Sequence, residues 1–316
     1  DSNLDTDGDG IPDATEISQG KNPNDPADNP IDLSNGLVAW YPFDGNASDM
    51  SGNGNHGTVN GAILVEDRHG GMGKAYSFDG VDDYIQVNDH PSIKPTTAIT
   101  LSVWVNYVFR SNRSYDRIVS KNGPAPTIGP GAYQIIAGIA GAETYGEIGF
   151  YVTTTEDTAW FGPSSKIDAS DTNLLPSEWH QVTATWVGGT AKVYHDGILV
   201  YQGIRGGTIS HTNDPLYVGK DQEGGNYWNG SIDDVRIYDR ALSAAEVAQL
   251  YHLERPGAVL TDANFTTAVN LWFSDRDHAL STHGRIGNWD VSGVTEMNGT
   301  FQERHSFNEY IGDWNV

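Results

Sequence analysis

Between Ile99 and Tyr107 every second residue is apolar: Ile99, Leu101, Val103, Val105 and Tyr107 alternate with Thr100, Ser102, Trp104 and Asn106. A period of two places the first set on one face of an extended strand, whereas a helix would scatter it around its axis. The segment therefore commits its neighbourhood to a sheet with one face against a core. Val182, Ala184 and Trp186 repeat the pattern, and Ala191 to Val200 reads as a hairpin whose Asp196-Gly197 pair fits a type I′ turn. Strands are also predicted at 37–43, 74–79, 84–88, 133–139, 147–154, 216–220 and 231–239. So many short strands separated by glycine-rich turns make the chain mainly β, a two-sheet antiparallel sandwich. Alternation assigns Trp40, Trp104, Trp179 and Trp186 to its core. One helix is predicted after it, with Ser243 and Glu246 as a capping box and Val247, Leu250 and Tyr251 as the packing face.

The sandwich pattern covers residues 34–254, and the texture changes on either side of it. Residues 1–33 are rich in Asp, Asn and Pro and too polar to build a core. Glu254-Arg255-Pro256-Gly257 reads as a linker by its breakers, and 258–316 form a third unit. Residues 5–16 match a twelve-residue calcium loop. Asp5, Asp7 and Asp9 stand at its first, third and fifth places, Gly10 at the turn, Ile11 offers a carbonyl, and Asp13 and Glu16 stand at the ninth and twelfth. A hard divalent ion would remove the repulsion among these carboxylates; the other reading is a solvated acidic linker. No helix can precede Asp5 within the chain, and Pro12 sits inside the loop.

The segment resembles the thrombospondin type 3 calcium repeats of bacterial surface proteins. That resemblance makes Asp25 and Asp28, in Gly20 to Asp28, candidate ligands for a second or shared ion. The middle unit resembles the laminin-G-like, concanavalin-like jelly roll. The matching stretches are Leu37 to Asp44, Asp49 to Gly57, Phe78 to Ile85, and Trp228-Asn229-Gly230-Ser231-Ile232-Asp233-Asp234 running on to Tyr238 and Arg240 to Ser243. The resemblance implies a core position for Trp228 and a calcium ion between the loop after the first strand and the last long strand. Asp49, with oxygens around Asn53 and Asn55, would then meet Asp233. The alternative is that Asn and Gly there supply left-handed turns and Asp233 caps a bulge. In the last unit Ile286-Gly287-Asn288-Trp289-Asp290-Val291 returns 25 residues later as Ile311-Gly312-Asp313-Trp314-Asn315-Val316. This resembles the 25-residue repeats of mycoplasma lipoproteins and other bacterial surface antigens, relatives of leucine-rich repeats, with 258–285 as a helical cap. Such repeats bury a core only through their neighbours, so the chain is expected to be cut from a longer modular protein and to contact its other modules.

Function follows from the chemistry present and absent. No cysteine occurs in 316 residues, which excludes disulfides and thiolate sites. A net charge of -24, from 18 basic and 42 acidic side chains, disfavours nucleic acid and anionic membranes. No apolar run is long enough to span a bilayer and no signal peptide is visible, so any export signal or anchor is expected outside the chain. Sandwiches that cleave polysaccharides need paired carboxyls, often as Glu-x-Asp-x-x-Glu on one strand, and that string is missing, as are nucleophile elbows, zinc helices and phosphate loops. The chain is therefore expected not to be an enzyme. Sugars stack their C–H faces on aromatic rings while Asp, Asn and Gln bond their hydroxyls. Trp160 in the loop Asp157 to Pro163, and Tyr115 with Asp116 in the loop Arg110 to Asp116, are the candidate platform; Trp160 could equally cover the core edge. The expectation is an extracellular, calcium-stabilised, glycan-binding module of a bacterial adhesin or secreted protein. A spacer without a ligand and a part of a polysaccharide-degrading enzyme are the alternatives.

Overall fold

The structure, a computed structural model, describes residues 32–108, 116–122, 132–137, 148–156, 158–161 (backbone), 174, 177–204, 206–222, 225–302, 304, 307, 311 and 314. The calcium set Asp5, Asp7, Asp9, Ile11, Asp13, Glu16, Asp25 and Asp28 lies outside the described residues, as do Tyr115 and the side chain of Trp160. Two compact units emerge, one from Asp32 to Val247 and one that includes Ala248–Val316.

The first unit is the sandwich. Its strands are β1 (Leu37–Tyr41), β2 (Gly57–Asn60), β3 (Ile63–Val65), β4 (Ala75–Asp79), β5 (Tyr84–Val87), β6 (Ala98–Tyr107), β7 (Asp116–Lys121), β8 (Tyr133–Ala137), β9 (Ile148–Thr153), β10 (Thr158–Phe161), β11 (Trp179–Val187), β12 (Thr190–His195), β13 (Ile198–Ile204), β14 (Leu216–Val218) and β15 (Asn229–Tyr238). One antiparallel sheet runs β13-β12-β11-β6-β15-β4-β3 with β1 also on β15, and the other runs β10-β9-β8-β7-β14-β5-β2. Their inner faces interdigitate in one core that takes Leu101, Val103 and Val105 from the first sheet and Ile135, Phe150 and Val218 from the second. The predicted hairpin is present: His195 pairs with Ile198, and Asp196 and Gly197 have φ of 50° and 78°, as a type I′ turn requires.

Three assignments change. Thr158 to Phe161, expected in a loop, is an edge strand, because Thr158↔Thr153 closes a short hairpin and lets four backbone positions pair. Trp104 is buried but on the outer face of its sheet, beneath the Arg68 guanidinium at 4.9 Å, and half-buried Trp40 lies under Arg236 at 4.5 Å. The period of two already sets Trp104 with Thr100, Ser102 and Asn106, opposite the apolar row from Ile99 to Tyr107, so its burial comes from cover on the outer face and not from the core. Trp179 is half-buried. Trp186 and Trp228 are in the inner core as expected, Trp228 5.1 Å from Tyr107 between ring centroids.

Helix α1 (Ala244–Glu254) begins at the predicted capping box, where Ser243 N donates to Glu246 Oε2 (2.7 Å) and Glu246 N to Ser243 Oγ (3.2 Å). The second unit continues with β16 (Val259–Thr261), α2 (Phe265–Ser274), α3 (Arg276–His283) and β17 (Asp290–Gly293), the two strands pairing in parallel. Its separate core includes Phe265, Val269, Trp272, Ile286, Trp289 and Trp314. The 25-residue repeat is visible in space. Trp289 and Trp314 stack with centroids 6.3 Å apart and planes 11° off parallel, each after the same turn, with Trp289 N donating to Ile286 O and Trp314 N to Ile311 O.

Candidate ligand-binding face

Residues paired directly across neighbouring strands share a face of the sheet. In the seven-stranded sheet the register aligns one row as Phe161, Phe150, Ile135, Val119, Val218, Ile85 and Val59, apolar in every strand. The next row along the strands aligns Trp160, Tyr151, Gln134, Ser120, Tyr217, Gln86 and Thr58. Because side chains alternate, the part of this second row from Tyr151 to Thr58 belongs to the outer face. All seven members are aromatic or carry a hydrogen-bonding group. The middle of the row is covered: Ser120 is fully buried, its Oγ donating to Asn122 Oδ1 at 2.6 Å, and Tyr217 is 6% exposed. Its flanks are open to partial degrees, with half-buried Gln134 and Tyr151 on one side and Gln86 and exposed Thr58 on the other. The β9–β10 hairpin pairs position 160, one of the two aromatic positions chosen from sequence, with Tyr151 at the sheet edge, a residue that was not chosen. On the other flank Lys220 Nζ lies 3.9 Å from the Tyr84 ring centre and 4.4 Å from that of Tyr217. Burial pushes the Lys220 ammonium below its ordinary range, partly offset by Asp221.

The other predicted site residues take structural partners. Asp116 is 2% exposed and accepts from Tyr107 Oη at 3.4 Å, so it is held inside the domain and is not offered to a ligand. Asp49 is equally committed: Oδ1 accepts from Trp40 N (3.0 Å) and Ser51 N (2.9 Å), and Oδ2 from Asn55 N (2.9 Å). Asn53 Nδ2 donates to Ser51 Oγ at 3.1 Å, and Asn55 Nδ2 to Val38 O at 2.8 Å. Asp233 forms a buried ion pair with Arg68 Nη1, whose Nη2 reaches Asp234 at 2.6 Å. Asp234 N donates to Asp233 Oδ1 at the bulge between Asp233 and Arg236, and Asp234 has φ 44°. The set Asp49, Asn53 and Asp233 thus does not fit a shared calcium ion as arranged, because a guanidinium and backbone N–H groups already take the carboxylate oxygens of Asp49 and Asp233. Arg68 is the cation here. Burial pushes the Asp233 carboxyl well above its ordinary range, Arg68 offsetting part of this and the charge on Asp234 adding to it. Burial also raises Asp234, but Arg68 and Arg236 outweigh it and hold that carboxyl low.

For Asp49, burial pushes the carboxyl up, and the backbone donors of Trp40, Ser51 and Asn55 outweigh this, leaving it below the ordinary value of 3.8. A depressed carboxyl stabilises the fold above its unfolded pKa and loses that contribution as pH falls through the folded value. Asp49→Asn is therefore expected to cost about 1–3 kcal/mol near neutral pH, with the difference from wild type shrinking as the pH falls below 3.8. Urea melts at several pH values check this.

Candidate cation clusters among the described residues are Asp79 with Asp82 and Asp83, and His180 with His195 and Asp196. In the first, Asp79 Oδ1 accepts from Val81 N (2.7 Å) and Asp83 Oδ2 from Asp79 N (2.9 Å), which is the chemistry of a turn leading into β5.

Residues 79–248, more than half of the chain, match the family model of the concanavalin A-like lectin/glucanases superfamily. Residues 267–316 match one described as a Mycoplasma protein of unknown function. No curated protein matches the chain. Among solved structures, domain 4 of AbnA, an extracellular arabinanase from Geobacillus stearothermophilus in complex with arabinotriose, is similar over 68% of this chain and 98% of its own, at 20% identity and a TM-score of 0.51. The binding domain of Paraclostridial Mosquitocidal Protein 1 is similar over 70% of this chain and 52% of its own, at 19% identity and a TM-score of 0.55. The botulinum neurotoxin serotype D binding domain is similar over 71% and 54%, at 17% identity and a TM-score of 0.51. The match spans about half of each toxin domain. At these identities the likeness is one of fold.

Proposed function

Because the chain belongs to the concanavalin A-like lectin/glucanases superfamily, we propose that it is a non-catalytic glycan-binding module of a longer extracellular protein, and that the sugar lies on the outer face of the seven-stranded sheet. The observation that carries this reading is the outward row from position 160 through Tyr151 and Gln134, which joins aromatic positions to amide donors and acceptors. A sugar ring stacked on an aromatic there has an amide within one strand spacing for its hydroxyls. The site moves from the loops at the end of the sandwich to the sheet itself, keeping position 160 and replacing Tyr115, which lies outside the described residues, and buried Asp116 with Tyr151 and Gln134. The arabinotriose held by domain 4 of AbnA makes arabino-oligosaccharides a first set of probes.

Single shallow sites of this kind bind at about millimolar to micromolar Kd, roughly -4 to -8 kcal/mol. Glycan-array screening followed by calorimetry should find such binding, with Tyr151→Ala and Gln134→Ala each weakening it about tenfold or more. An array without hits would leave the spacer as the better account. Release of reducing ends from a polysaccharide panel, lost on replacing one Asp or Glu, would make the protein an enzyme.

The proposal retains calcium for residues 1–33, on the ligand spacing of Asp5, Asp7, Asp9, Ile11, Asp13 and Glu16 and the thrombospondin type 3 resemblance. In protein already freed of transition metals, removal of calcium is expected to speed proteolysis between Asn22 and Pro30 while the sandwich, whose Asp233 and Asp234 use Arg68, keeps its melting temperature. Equal cleavage with and without chelator would remove calcium from the account.

A further inference from the structure

The core-facing column of β11 reads Trp186, Ala184, Val182 and then His180; that of β12 reads Ala191, Val193 and then His195. Val182 and His195 are direct cross-strand partners, so both imidazoles stand on the inner face, in places where the period-two pattern calls for an apolar side chain. Two polar residues at adjacent core positions of neighbouring strands need a reason. The β12–β13 turn supplies a carboxylate beside them. Asp196 is held by two bonds to β11: its N donates to Gln181 O (2.9 Å) and its Oδ1 accepts from Gln181 N (2.7 Å). This aims Oδ2 at the imidazoles, 2.9 Å from His180 Nδ1 and 3.6 Å from His195 Nε2. The two rings lie 4.8 Å apart between centroids, and one ligand atom from each of the three residues falls within 4.8 Å of the others.

We propose that His180, His195 and Asp196 form a binding site for a zinc-class divalent transition metal. With ligand bonds of about 2.0–2.2 Å, two donors on a tetrahedral ion are separated by about 3.3 Å, and the two nitrogen-to-oxygen distances bracket that value. The metal replaces the His180 to Asp196 hydrogen bond and takes both atoms as ligands. Two imidazoles and one carboxylate suit zinc, nickel or copper and are a poor match for calcium, which takes oxygen. The Gln181 amide on Oδ1 is the outer partner that orients the carboxylate. Side-chain exposures of 10%, 12% and 26% for His180, His195 and Asp196 leave the cluster partly open to solvent. The site staples the β12–β13 hairpin to β11 in a chain that has no cysteine for a disulfide.

The test uses the full chain, stripped with chelator, then titrated with Zn2+ in excess Ca2+ to saturate oxygen-only sites, and in parallel with Co2+. One saturable Zn2+ site per chain is expected, with the intense visible absorption of four-coordinate cobalt. His195→Ala and Asp196→Asn should each weaken binding at least about 100-fold while circular dichroism stays unchanged. Histidine NMR on the wild-type chain should show the His180 and His195 ring signals shifting together with added Zn2+, a readout that does not depend on either variant folding. Zn2+ binding of equal strength in both variants, the absence of a saturable site, or wild-type His180 and His195 signals unmoved by Zn2+ would each overturn the proposal.

Discussion

Replacing Arg68 by alanine is expected to destabilise the sandwich by about 3–5 kcal/mol, the cost of leaving buried charge without its partner. Arg68 is 5% exposed and holds Asp233, 2% exposed, and Asp234, 12% exposed, on β15. Without it two neighbouring carboxylates would face each other, relieved by Arg236, 3.5 Å from Asp234, and by the Trp40 indole, whose Nε1 donates to Asp234 Oδ1 at 2.8 Å. The same change uncovers Trp104 on the outer face of the sheet. Denaturant melts should show this loss in the first unit, and Arg68→Ala, Asp233→Asn and Asp234→Asn combined should recover part of it, since removing both sides of a buried pair costs less than removing one. A loss under about 1 kcal/mol would mean that the pair is worth no more than an exposed one. Recovery of Arg68→Ala stability by added calcium, with none by magnesium, would show that the two aspartates accept the metal once the guanidinium is gone.

Gly230→Ala should be nearly as costly, about 3–5 kcal/mol from strain and overlap together. Gly230 has φ +136°, where a side chain is strained, and a β-carbon there would stand 2.1 Å from the carbonyl oxygen of Asn106. The two strands meet there because Gly230 pairs with Tyr107 on one side and with Phe78 on the other. A methyl group must therefore push β6 away from β15 at the centre of the larger sheet. Thermal melts, and amide exchange at Val105 to Val108, would register the separation. Wild-type exchange rates in the variant would show that the strands have room to give.

Gly230 lies in the Trp228-Asn229-Gly230 string that pointed to the fold, and the structure supplies the physical cause of that string: a buried indole, then a residue that lets two backbones touch. Much of the remaining architecture was equally readable, because it rests on local rules. The alternation in β6 and β11, the Asp196-Gly197 turn and the Ser243–Glu246 cap each involve residues near one another in the chain. The 25-residue return of Trp289 as Trp314 was legible for the same reason, and the two rings stack as such a repeat implies. The short β2, β3 and β10 were missed because three or four residues carry too little alternation to separate a strand from a loop, and β7 was missed because its first residue, Asp116, reads as the end of a polar loop.

What the sequence determined by itself was the division of each strand into two faces and the positions of turns, since both are set by a period of two and by backbone preferences of single residues. Only the tertiary structure showed that the outer face is covered as well, with Trp104 and Trp40 lying there under arginines. Only it joined Tyr151, Gln134, Tyr217 and Gln86 into one row, because β14 enters between β7 and β5 from far along the chain and register across such crossovers has no local signature. It alone placed Arg68 against Asp233, 165 residues away, where an ion had been expected. A carboxylate in a sequence announces a need for positive charge, and whether a metal, a guanidinium or a set of backbone N–H groups meets that need is settled by what folding brings within about 3 Å.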